Sequence, residues 1–113
     1  QFTQAHSNLG NILCDLGELK EAEMSQRKAI ELNPSLPKAH YNLGNILKEL
    51  GNLKESLLYY EEALNIDKKD WRAKGGIGEI LLKTGNLKDG IYKLREAYGS
   101  INFNYKNPKI IIK

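Results

Sequence analysis

SNLGNILCDLGELKEAE at residues 7–23, YNLGNILKELGNLKESL at 41–57 and GGIGEILLKTGNLKDGI at 75–91 align without gaps, each displaced by 34 residues from the last. A chain that returns to itself at a fixed period of this size is built from stacked copies of one supersecondary unit, because a single copy cannot bury its own apolar face. The period divides the chain into units at residues 3–36, 37–70 and 71–104, leaving a tail at 105–113 that belongs to no repeat. Stacks of this kind need about three units for stability.

Within each unit the pattern predicts two amphipathic helices joined by a tight turn. Leu9, Ile12, Leu13 and Leu16 recur at helical spacing, as do Leu43, Ile46, Leu47 and Leu50 one unit later, so this stripe is the expected buried face of the first helix. Gly17, Gly51 and Gly85 follow it, where a left-handed residue can end a helix without a side-chain clash. Asn52 with Glu55, and Asn86 with Asp89, have the spacing of a capping box that restarts a helix. Asn33-Pro34 closes the first unit, and Pro37 fits the first turn of the next helix, where its missing N–H costs nothing.

Leu-Gly in the first helix, Gly at the turn, Ala22 and Ala29 on the second helix and Pro34 at the exit together resemble the tetratricopeptide repeat family, over nearly the whole chain except its last nine residues. Where that family often carries a tryptophan early in the first helix, this chain has His6, His40 and Lys74; Ser56 and Gly90 replace a small alanine, and Lys68 and Asn102 replace the closing proline. The resemblance implies an all-α, right-handed superhelical solenoid of three helix-turn-helix hairpins, with first helices lining a concave groove. Gly10, Gly44 and Gly78 fall mid-helix, where glycine costs about 1 kcal/mol against alanine. The expected compensation is close helix approach against the flat surface of Ala29, Ala63 and Ala97.

Function is expected on the groove face of the first helices. The positions opposite the apolar stripe include Ser7, Asn8, Asn11 and Cys14 in unit one, and Lys38, Tyr41, Asn42, Asn45 and Lys48 in unit two. Unit three offers Arg72, Gly75, Gly76 and Leu82, its glycines reading as a thinned groove wall. From these, Asn8, Asn11, Lys38, Tyr41, Asn42, Asn45, Lys48 and Arg72 are the candidate peptide-binding residues. Asn8 and Asn11, like Asn42 and Asn45, are three apart and face one way. A carboxamide carries two donors and an acceptor, enough for both the N–H and the C=O of an extended backbone. Solvated asparagines also occur on any exposed helix, so the pairs alone do not decide. Repeated groove asparagines are similar to the arrays of O-linked N-acetylglucosamine transferases, whose repeats grip extended polypeptides. Asn8 and Asn42 match that pattern and Gly76 breaks it. Against the carboxylate clamp of chaperone-binding members, Asn11, Asn42 and Arg72 fall at clamp-like places, but Ser7 and Gly76 stand where cations are needed.

Other chemistries find little footing. His6 and His40 recur because the repeat recurs, and they occupy a packing position, so no metal or cofactor is expected. Cys14 has no orienting base, and no acid, base or nucleophile converges in the groove, so no catalytic residue is expected. Gly75-Gly76-Ile77-Gly78 follows no strand and lacks the G-x-G-x-x-G spacing. A net charge of +3 without aromatic interleaving of the lysines argues against nucleic acid. No apolar run reaches the ~18 residues of a membrane span, and one cysteine excludes an internal disulfide, which together favour the cytoplasm and no membrane.

Two functional classes follow: a free-standing adaptor that holds a protein or peptide, and a substrate-holding or targeting segment of a larger enzyme such as a glycosyltransferase. Gln1 in place of an initiator methionine suggests a piece of a longer chain, and the gene beyond Lys113 separates the two. In the tail, Ile101, Phe103 and Tyr105 alternate with asparagines, and Ile110–Ile112 follow a Lys106-Asn107-Pro108 turn. That pattern predicts an extended or β-hairpin segment, which covers the last unit within one chain or pairs with a second copy as a homodimer.

Overall fold

The computed structural model describes residues 2–98, which form six helices. They are α1 (Phe2–Asp15), α2 (Leu19–Leu32), α3 (Pro37–Glu49), α4 (Leu53–Ile66), α5 (Trp71–Lys83) and α6 (Leu87–Tyr98). Helices pack in chain order as the hairpins α1/α2, α3/α4 and α5/α6; each second helix also packs on the first helix of the next hairpin, and α3 touches both α1 and α5. This is the all-α stack expected from the repeat. The predicted tail at 105–113, and the homodimer it would support, lie outside the described residues. Among the described residues no helix is long and apolar enough to cross a membrane.

The turns inside the hairpins are set by glycine. Gly17, Gly51 and Gly85 have φ of 85°, 89° and 91°, a region closed to most side chains. At the middle turn the Gly51 N–H donates to the Lys48 carbonyl at 3.0 Å and the Asn52 N–H to the Leu47 carbonyl at 2.8 Å, the paired bonds of a Schellman motif. The capping box expected at Asn52 is not formed: its side chain makes no capping bond, and its N–H is spent on the preceding helix. The side-chain cap that does form is Asp70, which accepts from the Arg72 and Ala73 N–H groups and starts α5. His40, 4% exposed, has Nε2 2.8 Å from the Pro34 carbonyl and its ring stacked on Tyr59, so it closes the turn between hairpins.

The mid-helix glycines do allow close approach, and the nearest atoms are mostly side chains of the second helix, with the Gly90 carbonyl, 3.1 Å from a Cβ at Gly78, the backbone atom among them. A Cβ at Gly44 would stand 2.8 Å from the Tyr60 ring, one at Gly10 2.6 Å from the Gln26 carboxamide, and one at Gly78 2.8 Å from Leu94. The partner is therefore the residue sixteen positions on, a knob from the second helix resting on the bare backbone of the first. Ala29, Ala63 and Ala97 are buried nearby.

The apolar stripe is not buried alike in every unit. Leu43, Ile46 and Leu47 are buried, whereas of their unit-one counterparts Leu9 and Ile12 are exposed and Leu13 is half-buried; Leu16 is likewise exposed where Leu50 is half-buried. α3 has neighbours on both sides; among the described residues α1 has them on one side only. Spacing identifies the face, and only a neighbour buries it.

The two junctions between hairpins differ in a complementary way. Tyr60 lies against Gly76 of the next hairpin, where a Cβ would come within 2.5 Å of its ring. One period earlier the same two positions hold Gln26 and Asn42. A large knob is matched to a bare backbone, and a smaller knob to a side chain. Gly76→Asn should therefore cost about 1–3 kcal/mol by overpacking, and clearly less in a Tyr60→Gln background. Urea denaturation of the four proteins in this cycle measures the coupling, and equal costs in both backgrounds would dismiss it.

Candidate binding groove

The inner face of the stack is formed by α1, α3 and α5, and two depressions lie along it. One, of about 520 Å³, is lined by Cys14 and Asp15 of α1, Gly17 of the first turn, Leu19 at the start of α2, and Asn45, Lys48 and Glu49 of α3. The other, of about 190 Å³, has Tyr41, Asn45 and Lys48 on one wall and Arg72, Gly75, Gly76 and Glu79 on the other, with Trp71 and Tyr98 at its end. Asn45 and Lys48 belong to both, which makes them the centre of the face.

Of the residues expected to bind, the structure brings Tyr41, Asn45, Lys48 and Arg72 together around the smaller depression. The Arg72 guanidinium lies 5.2 Å from the centre of the Tyr41 ring, within cation–π range. Lys48 Nζ donates to Glu79 Oε1 at 2.6 Å, tying α3 to α5. The Tyr60 hydroxyl donates to Asn45 Oδ1, holding the carboxamide from beneath. Burial, then the neighbouring Tyr41 and the Glu79 carboxylate, push the Tyr60 phenol well above the usual tyrosine range, so it is a neutral donor.

The other four candidates stand outside both depressions. Asn8 is exposed and accepts from Gln4 Nε2 at 3.1 Å; Asn11 is half-buried and accepts from Gln26 Nε2 at 3.3 Å. Lys38 is exposed on the first turn of α3. Asn42 is half-buried, with Nδ2 shielded from solvent and without a hydrogen-bond partner; Gln26 Oε1, at the position that faces this one a period later, is shielded and unpartnered too.

Three expectations about the groove wall change. Ser7, placed on the open face by its spacing, is fully buried, because the Gln26 carboxamide reaches across Gly10 to the Ser7 carbonyl at 2.8 Å. Gly75 and Gly76 do line the smaller depression, but the space their missing side chains leave is filled by rings from second helices: Gly76 lies under Tyr60 and Gly75 beside the Tyr98 hydroxyl. Leu82 packs over Gly90 within its own hairpin. Spacing also missed Trp71 and Tyr98. Their one signal in the sequence is Gly75, which leaves empty the place that Tyr41 fills in the preceding unit.

A TPR repeat model matches residues 10–51, and a tetratricopeptide repeat model matches residues 37–70, so together they span more than half of the chain. The chain belongs to the tetratricopeptide repeat family. Members of this family are in general protein-interaction modules and typically not catalytic. No curated protein sequence matches it significantly. Solved structures similar to this tetratricopeptide stack include two of MamA. A crystal structure of MamA has a TM-score of 0.82 at 23% identity, covering 92% of this chain and 61% of its own. A second crystal structure of the MamA protein has a TM-score of 0.80 at 23% identity, covering 93% and 57% respectively. The chain thus spans about 60% of the length of the MamA chains it matches, and the likeness is one of fold.

Cys14 gives the groove a chemical reporter. Burial, followed by the negative charges of Asp15 and Glu49, raises its thiol pKa above the ordinary value. Since the thiolate is the reactive form, less of it is present at neutral pH than in an unfolded chain. Iodoacetamide should modify Cys14 more slowly in the folded protein than in urea, with a pH profile displaced upward. A folded-state profile at or below that of the unfolded chain would contradict this environment.

Proposed function

We propose that the chain is a protein-interaction module that receives an extended peptide along the face made by α1, α3 and α5. The observation that carries this is the run of two depressions sharing Asn45 and Lys48, on the face where α3 lies between α1 and α5. The neighbouring carboxamides of α3 divide the work. Asn45 has its oxygen held by Tyr60, which leaves its N–H groups for a peptide carbonyl. Asn42 has its nitrogen turned out of solvent, which leaves its oxygen for a peptide N–H. Three residues apart on one helix face, they offer a donor and an acceptor in the alternation that an extended backbone presents.

Asn8 continues the row in the first unit, where its oxygen is held by Gln4 and its nitrogen is left to donate. Lys38 and Arg72 add positive charge beside the path. In this reading the asparagines supply affinity for any extended main chain, and the side chains around them choose among sequences. The row of asparagines is the feature similar to the repeats of O-linked N-acetylglucosamine transferases, and only the mode of gripping is carried over.

Peptide-array binding of the parent, of Asn8→Ala/Asn42→Ala and of a control on the second helices, Lys28→Ala/Lys93→Ala, tests the proposal. The asparagine variant should lose about tenfold in affinity across unrelated sequences, the size of one or two main-chain hydrogen bonds, while the control stays at parent level. Thermal melts of all three establish that the fold is kept. Parent-like binding by the folded asparagine variant would remove the groove assignment.

A further inference from the structure

The smaller depression is built differently from the rest of the groove. Its volume of about 190 Å³ lies below the range of roughly 300–1,000 Å³ typical of small-molecule sites and suits a single side chain. Its end wall is an aromatic pair, Trp71 and Tyr98, with ring centres 5.8 Å apart and planes inclined by 59°. Trp71 is 53% exposed and Tyr98 40% exposed, although both carry large apolar rings. Tyr98 comes from a second helix, and it reaches the inner face because Gly75 has no side chain: a Cβ there would stand 2.9 Å from the Tyr98 hydroxyl. The departure from the repeat at Gly75 therefore creates an aromatic recess that the first unit, with Ser7 and Ile30 at the positions of Gly75 and Tyr98, does not have.

The charges at the rim are unequal. Lys48 is neutralised by Glu79 at 2.6 Å. Arg72 is not matched in the same way: its Nε is 3.9 Å from Asp70, beyond hydrogen-bond range, and the Asp70 oxygen is already capping α5. A lysine or arginine entering the recess would meet two cations and one carboxylate. An aromatic side chain would instead cover the exposed faces of Trp71 and Tyr98, and a carboxylate next to it would reach Arg72. Tryptophan, tyrosine and arginine, gathered here in one recess, are also the residue types that dominate binding hot spots.

We propose that this recess is the specificity pocket of the groove, taking an aromatic side chain of the bound peptide with an adjacent aspartate or glutamate held by Arg72. The assignment rests on the peptide-groove reading and adds to it a sequence preference that the asparagines cannot supply.

Trp71 is the single tryptophan of the chain, so its fluorescence reports directly on the recess. Blocked octapeptides of serine with a central Phe-Asp, Phe-Lys or Ala-Asp are titrated into the full chain. Phe-Asp should shift Trp71 emission to shorter wavelength with a midpoint about tenfold lower than the other two, the loss expected when one hot-spot contact is removed. Arg72→Gln should abolish the preference for Phe-Asp over Phe-Lys and keep the preference for Phe-Asp over Ala-Asp. Tyr98→Ala, at an exposed position, should do the reverse. Equal midpoints for the three peptides, or no response of Trp71 at millimolar peptide, would overturn the pocket. The two proposals separate cleanly. If only the pocket is wrong, extended peptides still lose affinity with Asn8→Ala/Asn42→Ala and ignore Tyr98→Ala and Arg72→Gln. If the groove is wrong, the asparagine variant binds like the parent.

Discussion

The contact between a mid-helix glycine and the side chain sixteen residues later sets almost everything else in this molecule. Gly10, Gly44 and Gly78 each let a knob from the second helix, Gln26, Tyr60 or Leu94, settle on bare backbone. The helix propensity lost at glycine is offset by packing that no side chain at that position would permit. This closes the hairpin at a fixed distance, and the distance decides which first-helix residues remain available on the inner face.

Tyr60 shows how one knob connects packing to the site. Its ring touches Gly44 within its own hairpin and Gly76 in the next, it joins Ile77 and Ile80 in the buried cluster between α4 and α5, and its hydroxyl holds Asn45. The same side chain thus fixes the spacing of two hairpins and the orientation of the central carboxamide of the groove. At the junction before it, Gln26 performs the first task with a smaller side chain and leaves room for Asn42. Repeats of one period can therefore carry grooves of different chemistry, because exchanging a single knob changes what its neighbour can be.

The outer side is held by other means. Arg27 on α2 binds Glu23 on its own helix and reaches across to Glu55 at 2.9 Å and the Tyr59 hydroxyl at 3.0 Å on α4. Burial works against its charge and is outweighed by the bonds to Glu55 and Glu23, so the guanidinium pKa is raised. His40, stacked on Tyr59 and bonded to the Pro34 carbonyl, completes this clasp between the first two hairpins. An isolated surface ion pair contributes little, but a network converging on one arginine orders both second helices against each other.

The sequence by itself determined the period, the six helices and the glycine turns, because these follow from local spacing and from backbone angles that only glycine adopts readily. It also placed Tyr41, Asn45, Lys48 and Arg72 on one face, since a helix repeats its faces every few residues. What it could not determine was which residues on a face are free. Ser7 is covered by a side chain nineteen residues away, Leu9, Ile12 and Leu16 are exposed because no helix among the described residues packs over them, and Trp71 and Tyr98 meet from opposite ends of a hairpin. Those outcomes depend on distances between helices that are far apart along the chain, and only the packed tertiary structure sets such distances.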